Sequence, residues 1–170
     1  MPANFWMFFV AGLIPMIVGS IWYSPKVFGT KWMKINGFTE EYLAKGNMAA
    51  ILGVSYLLSV LMAFALSGMV IHQTNVLQLL YPEVAEAGSA AQATYNEFMS
   101  DYGEKHRTAK HGAIHGIIYG IMFVLPLIGI NALFERRGWG YILIHLGYWL
   151  ITLSSMGALL CATLNYSSIG

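Results

Sequence analysis

The sequence predicts an all-α integral membrane protein: a four-helix bundle with a short amphipathic helix in its second loop. Three observations lead there. Charged residues make up 10% of the 170-residue chain and hydrophobic residues 57%, whereas soluble domains run near 25% charged. The nine basic and eight acidic residues fall in three windows, Lys26–Lys45, Glu83–Lys110 and Glu135–Arg137. Four uncharged stretches lie around these windows, at 1–25, 46–82, 111–134 and 138–170. An ionised group near mid-bilayer costs about 2.5–3.5 kcal/mol. A hydrocarbon core of ~30 Å takes roughly 20 apolar residues to cross as a helix, and a helix satisfies its own backbone groups there. The chain 1–170 therefore reads as one transmembrane domain with spans at about 4–24, 48–71, 112–133 and 140–162 and an extramembrane loop at 73–110.

The first span has no Lys or Arg ahead of its apolar run and ends in Ile21-Trp22-Tyr23-Ser24-Pro25. That bulky ending is not a small-residue cleavage site, so it reads as a mature helix and not a signal peptide. Pro25 stops it, and Phe28 and Trp32 are placed for the headgroup level. Thr39-Glu40-Glu41 is an N-cap followed by first-turn acids, opening a short helix that ends near Gly46. The second helix is expected to run past the membrane to Pro82. After a break at Gly88-Ser89, Ala91, Tyr95, Phe98, Met99 and Tyr102 recur at helical spacing, with Glu97 and Asp101 off that face. This is the amphipathic segment, read either as a lid over a site or as a passive surface anchor. The third window is a tight turn, which makes helices three and four antiparallel neighbours. Windows one and three share a side and hold six basic residues against three in window two. The positive-inside bias places them in the cytoplasm and both termini outside.

Gly112, Gly116 and Gly120 form a small-residue ridge on helix three. Ala49 and Gly53 on helix two, and Ser154, Ala158 and Ala162 on helix four, are spaced alike. Such ridges let helix backbones approach closely, inside the bundle or between copies in a homo-oligomer. Pro15 and Pro126 interrupt helices one and three within similar runs, Leu13-Ile14-Pro15-Met16-Ile17 and Val124-Leu125-Pro126-Leu127-Ile128, which hints at a two-plus-two repeat. The single cysteine, Cys161, rules out an intramolecular disulfide framework and reads as a packing residue.

Polar residues inside the spans are the candidate site residues. His111, His115 and Tyr119 share a face at the start of helix three, with His72 near the end of helix two and His106 just before helix three. His72, His111 and His115 are the candidate ligands for a divalent transition metal, with Asp101 or Glu104 as possible further ligands. The competing reading is hydrogen bonding between helices or to headgroups. At the other end, His145, Tyr148, Thr152 and Ser155 make a polar stripe on helix four, with Asn131 and Glu135 near its depth. A stripe of this kind lines a permeation path or serves as interhelical glue worth ~0.6 kcal/mol per contact. His115 and His145 differ in depth by roughly 20 Å at 1.5 Å per residue, which excludes a shared haem.

Trp22-Tyr23-Ser24-Pro25, Phe28-Gly29, Trp32 and Gly46-Asn47-Met48, then His111-Gly112-x-x-His115-Gly116, Asn131-Ala132-Leu133-Phe134-Glu135-Arg136 and Gly147-Tyr148-Trp149 carry a family likeness. Across nearly the whole chain the sequence resembles a bacterial membrane family catalogued as a domain of unknown function, number 1761. The resemblance implies a four-helix membrane protein and supplies no activity, substrate or catalytic residue.

No strand–turn serine elbow, H-E-x-x-H or phosphate loop appears, and no carboxylate lies within a span, so the chain is not expected to be an enzyme. With a net charge of +1 and no basic stripe, nucleic acid is not an expected partner. The expected partners are the lipid bilayer and further copies of the chain through the small-residue faces. The leading expectation is a small oligomeric channel or carrier for an ion or solute in the bacterial inner membrane. The alternative is a membrane-embedded binding or accessory protein with an outer histidine site for metal or lipid.

Overall fold

The computed structural model describes residues 2–166. In chain order the helices are α1 (Met7–Ala11), α2 (Ile14–Trp22), α3 (Gly29–Asn36), α4 (Glu40–Ala44), α5 (Met48–Val70) and α6 (Gln73–Leu79). A 3₁₀ turn at Glu83–Ala85 leads to α7 (Ala90–Tyr102), then α8 (Ala109–Tyr119), a π turn at Gly120–Val124, α9 (Leu125–Phe134) and α10 (Trp139–Thr163). Among the described residues, three helical segments are long and apolar enough to cross a membrane: Met48–Val70, Ala109–Phe134 and Trp139–Thr163. These make the chain a helical membrane protein. Their outer faces carry large apolar side chains, including Leu57, Leu61, Met122 and Leu133, each more than three-fifths exposed, as a lipid-facing surface requires.

The first expected span needs correction. Its helical residues are Met7–Trp22, about 24 Å at 1.5 Å per residue, and Gly12 and Leu13 divide them. Pro15 accounts for the break: it has no N–H to continue a helix and is tolerated in a first turn, and it occupies the first turn of α2. The Leu13 N–H turns back to Val10 O, and Tyr56 Oη of α5 donates to Phe9 O at 3.1 Å. A backbone carbonyl at the break thus finds a partner on the neighbouring helix. Pro126 acts differently. Its ring would clash with the carbonyl of Met122, four residues back. The backbone widens there instead, and Leu125 N–H reaches Gly120 O, five residues back. The two similar proline runs therefore have different backbones.

Helix three packs on α10 along the glycine ridge. A Cβ on Gly112 would meet Gly157 O, one on Gly116 would meet Leu153 O, and one on Gly120 would lie 2.6 Å from Leu150 Cδ2. The ridge is therefore used inside one chain. Its counterpart on α10 is Gly157 with Leu153 and Leu150, a different register from Ser154, Ala158 and Ala162. Gly53 of α5 meets nothing within 4 Å. The buried core lies nearer the termini, between Phe8 and Ala11 of α1, Leu66 and Val70 of α5, and Met156 and Leu160 of α10.

The chain ends meet there as well. Asn4 Nδ2 donates to Thr163 O, Asn165 N–H donates to Asn4 Oδ1, and Ala3 N–H donates to Asn165 O. At the other end, a Cβ on Gly140 would lie 3.1 Å from Ile35 Cδ1, so windows one and three do share a side. Thr39 caps α4 by accepting from Tyr42 N–H, as expected.

Helix two does not continue to Pro82: α5 stops at Val70 with Ile71 extended, and α6 starts afresh. The loop 73–110 forms a cap. Ser89 Oγ accepts from Gln92 N–H while Gln92 Oε1 accepts from Gly88 N–H, a reciprocal start to α7. Tyr95 is buried, and Gln73 Nε2 donates to Tyr102 O and Lys105 O. Arg107 donates to Leu164 O at the carbonyl end of α10, where a cation is favoured.

Gly116→Ala is expected to lower stability by about 1–3 kcal/mol through overpacking, while Gly53→Ala, in open space inside α5, is expected to raise it by about 0.5–1 kcal/mol. Thermal unfolding in detergent reads both. Burial, followed by the Tyr166 phenol, raises the Tyr95 pKa above its ordinary value of 10.0. The unfolded phenol ionises first as pH climbs, so the cap is expected to lose stability above about pH 10. Tyr95→Phe removes that contribution, and amide exchange of residues 84–107 follows it.

Candidate metal centre

The break between α5 and α6 puts His72 at the head of α6, facing the start of α8. Thr108 caps α8, its Oγ1 accepting from His111 N–H at 3.2 Å. Helical spacing then stacks His115 under His111, with ring centroids 4.4 Å apart. His72 Nε2 and His111 Nε2 are 3.1 Å apart, one donating and the other accepting. The His72 and His115 rings are 5.0 Å apart. One ligating nitrogen from each of His72, His111 and His115 lies within 4.8 Å of the others. All three expected ligands are thus brought together.

His106 joins them as a neighbour: its ring stacks on His111 at 5.0 Å and 17°. It does so from a left-handed backbone, φ 64°, which a histidine adopts more readily than most residues. Its carbonyl is held by Cys161 Sγ at 3.4 Å, which also points at Val70 O. Cys161 therefore ties the end of α5 and the turn before α8 to α10, fixing both histidine-bearing backbones. Among the described residues the cluster contains no carboxylate. Asp101 and Glu104 stay outside it.

The geometry suits a metal ion. Nitrogens bound at about 2.0–2.1 Å in a tetrahedron are roughly 3.3 Å apart, close to the His72–His111 separation of 3.1 Å. Closing the 4.8 Å span of the cluster to that spacing takes a movement of up to about 1.5 Å. Three imidazoles would leave one coordination position open.

The remaining candidates lie elsewhere. Tyr119 is one turn below His115 and pairs with Phe123 at 5.2 Å. His145 sits at the opposite end of the bundle, so it shares no site with His115. Its Nδ1 meets Tyr23 Oη at 3.0 Å, and Tyr141 covers its ring at 4.4 Å. Tyr148 Oη donates to Pro15 O at 3.1 Å, and Thr152 is fully buried. His145 and Tyr148 thus tie α10 to the first segment. Asn131, Glu135, Tyr141 and His145 also line a polar cavity of about 220 Å³, floored by Trp149. Tyr23 and Tyr141 are partners of His145 that sequence reasoning did not assign. The aromatic turn Trp22-Tyr23 was the available signal.

A family model described as "Protein of unknown function (DUF1761)" matches residues 6–161. The chain belongs to this family. No curated protein and no solved structure matches it. In this DUF1761 protein the segments that carry the likeness interlock. Trp22 Nε1 donates to Ile144 O at 3.1 Å, and its ring sits where a Cβ on Gly147 would lie 2.7 Å away. Phe28 packs on Trp22 at 4.4 Å, and Gly29 abuts the Tyr23 and Ser24 backbone. The W-Y-S-P turn and the G-Y-W segment are two halves of one contact.

Tyr23→Phe is expected to cost about 0.6 kcal/mol, the loss of one interhelical hydrogen bond. Gly147→Ala is expected to cost about 1–3 kcal/mol by displacing Trp22. Unfolding midpoints of the two variants, with Trp22 fluorescence as the probe, check both.

Proposed function

We propose that this DUF1761 protein is a membrane-embedded binding protein for a divalent transition-metal ion. The carrying observation is the convergence of His72, His111 and His115, whose ligating nitrogens lie within 4.8 Å of one another. Imidazole ligands suit zinc, copper and nickel. The surrounding contacts support the reading: Thr108 orients His111, and Cys161 pins the two segments that carry the cluster. The bound ion would draw together the end of α5 and the start of α8, with the cap of α6 and α7 beside it.

Transport of an ion or small solute is the second reading. The cavity lined by Asn131, Glu135 and His145 supports it. The hydrogen bonds already made by His145 and Tyr148 between helices favour a packing role for the stripe. Assembly into a homo-oligomer belongs to either reading, through a surface other than the occupied glycine ridge.

Metal content of detergent-purified protein tests the proposal. The wild type and His145→Ala are expected to hold one zinc per chain after dialysis against zinc and then buffer. His111→Ala combined with His115→Ala is expected to hold none while keeping its unfolding midpoint in metal-free buffer. Equal zinc in all three, or none in the wild type, would sink the metal reading. Zinc flux into proteoliposomes above that of empty vesicles, lost with Glu135→Gln, would promote the transport reading.

A further inference from the structure

The histidine cluster has a fourth imidazole at its edge. With metal–nitrogen bonds of about 2.0–2.1 Å in a tetrahedron, the centroids of neighbouring imidazole ligands stand about 5 Å apart. The rings of His72, His111 and His115 are already 4.4, 5.0 and 5.1 Å from one another. The His106 ring lies 5.0 Å from His111 and 6.5 Å from His72. Three rings therefore sit at the spacing of a coordination shell, and the fourth misses it on the His72 side by about 1.5 Å.

The backbone that carries His106 is fastened on both sides. The Lys105 carbonyl accepts from Gln73 Nε2 at 2.9 Å, and the His106 carbonyl accepts from Thr108 N–H at 2.9 Å and from the Cys161 thiol. The Arg107 guanidinium donates to Leu164 O. The turn is thereby anchored to α6 and to the end of α10. The His106 side chain itself is exposed, which leaves the ring room to turn about its own bonds. His106 also holds φ 64°, a region that favours glycine and in which histidine is one of the few other enriched residues. Positions of this kind cluster at ligand clamps, where the surroundings hold them. Other donors are worse placed. Asp101 and Glu104 lie outside the cluster. Cys161 is buried, with its thiol pointing at Val70 O and His106 O.

We infer that His106 is the fourth ligand of the ion, its ring swinging from His111 toward His72 as the ion binds. This rests on the metal reading of the other three histidines. Four imidazoles close a tetrahedral site and leave no position for water, the arrangement of sites that retain an ion and do not present it to a substrate. The ion would then join the turn after α7 to the head of α6 and the start of α8, tying the cap to the bundle.

The test uses the full chain in detergent, loaded with cobalt(II), whose visible absorption reports its coordination. The wild type is expected to bind one cobalt per chain with the strong visible bands of a four-coordinate ion, unchanged by azide. His106→Gly suits the left-handed backbone and is expected to keep the metal-free unfolding midpoint. Its cobalt affinity is expected to fall at least about tenfold, since losing even an outer partner of a ligand costs about 10–100-fold. Azide or added imidazole then shifts the spectrum of this variant, because the fourth position is open. His106→Asn also tolerates φ 64° and is expected to match it, which separates loss of a ligand from a backbone effect. Glu104→Gln is expected to behave as the wild type does. Unchanged cobalt affinity in both His106 variants, with azide shifting the wild-type spectrum, would overturn the inference and leave the three-histidine site standing. A thiolate-to-cobalt charge-transfer band, lost in Cys161→Ser, would give the fourth position to Cys161 and overturn it as well. A wild type that binds no cobalt would sink the metal reading itself, and this inference with it.

Discussion

The closeness of helix three to α10 governs the arrangement of everything else. At Gly112 and Gly116 the two backbones nearly touch, and Gly157 returns the contact from the other side. In a bilayer, where lipid is as apolar as leucine, helix association relies on packing of this kind. The approach brings Cys161 against the start of α8 and the end of α5. The histidines of three different segments meet because those backbones are held there. A side chain at either glycine would push helix three outward and pull His111 and His115 away from His72.

The two ends of the bundle are built differently. Near the termini, capping contacts dominate: Asn4 and Arg107 hold the last turns of α10, Thr108 starts α8, and Gln73 closes the end of α7. At the opposite end aromatic packing dominates. Trp22 enters the hollow left by Gly147 while Tyr23 reaches His145. His145 and Tyr148 of α10 thereby find hydrogen-bond partners on the first segment, whereas the buried Thr152 hydroxyl has none among the described residues. In the histidine cluster the rings mostly face one another.

The prolines show how one residue type yields two outcomes. Pro15 follows a turn whose Gly12 packs closely on Val60 and Tyr56 of α5, and the helix breaks there, with Tyr56 supplying a hydrogen bond to Phe9. Pro126 follows a helix pressed against α10 by Gly120, and the helix stays continuous by taking the wider π turn. Phe123 and Val124 of that turn line a groove of about 580 Å³ between helix three and α5.

Much of this was legible from residue order. Charge partition located Met48–Val70, Ala109–Phe134 and Trp139–Thr163 within a few residues, because an ionised group is expelled from hydrocarbon wherever it occurs along a chain. The cap at Thr39 was visible as a local hydrogen-bonding signal, and the break before α7 as Gly88-Ser89. Spacing of four placed His111 and His115 on one face, and His72 fell at the same depth by counting. What counting could not supply was partner choice. That the glycine ridge meets Gly157 within the chain, that Ile71 turns the backbone so His72 faces His111, and that Tyr23 reaches His145 are decided by three-dimensional packing. Sequence periodicity fixes which side chains share a face of one helix, whereas the neighbour of that face depends on distances between helices, and those are set only when the whole bundle closes.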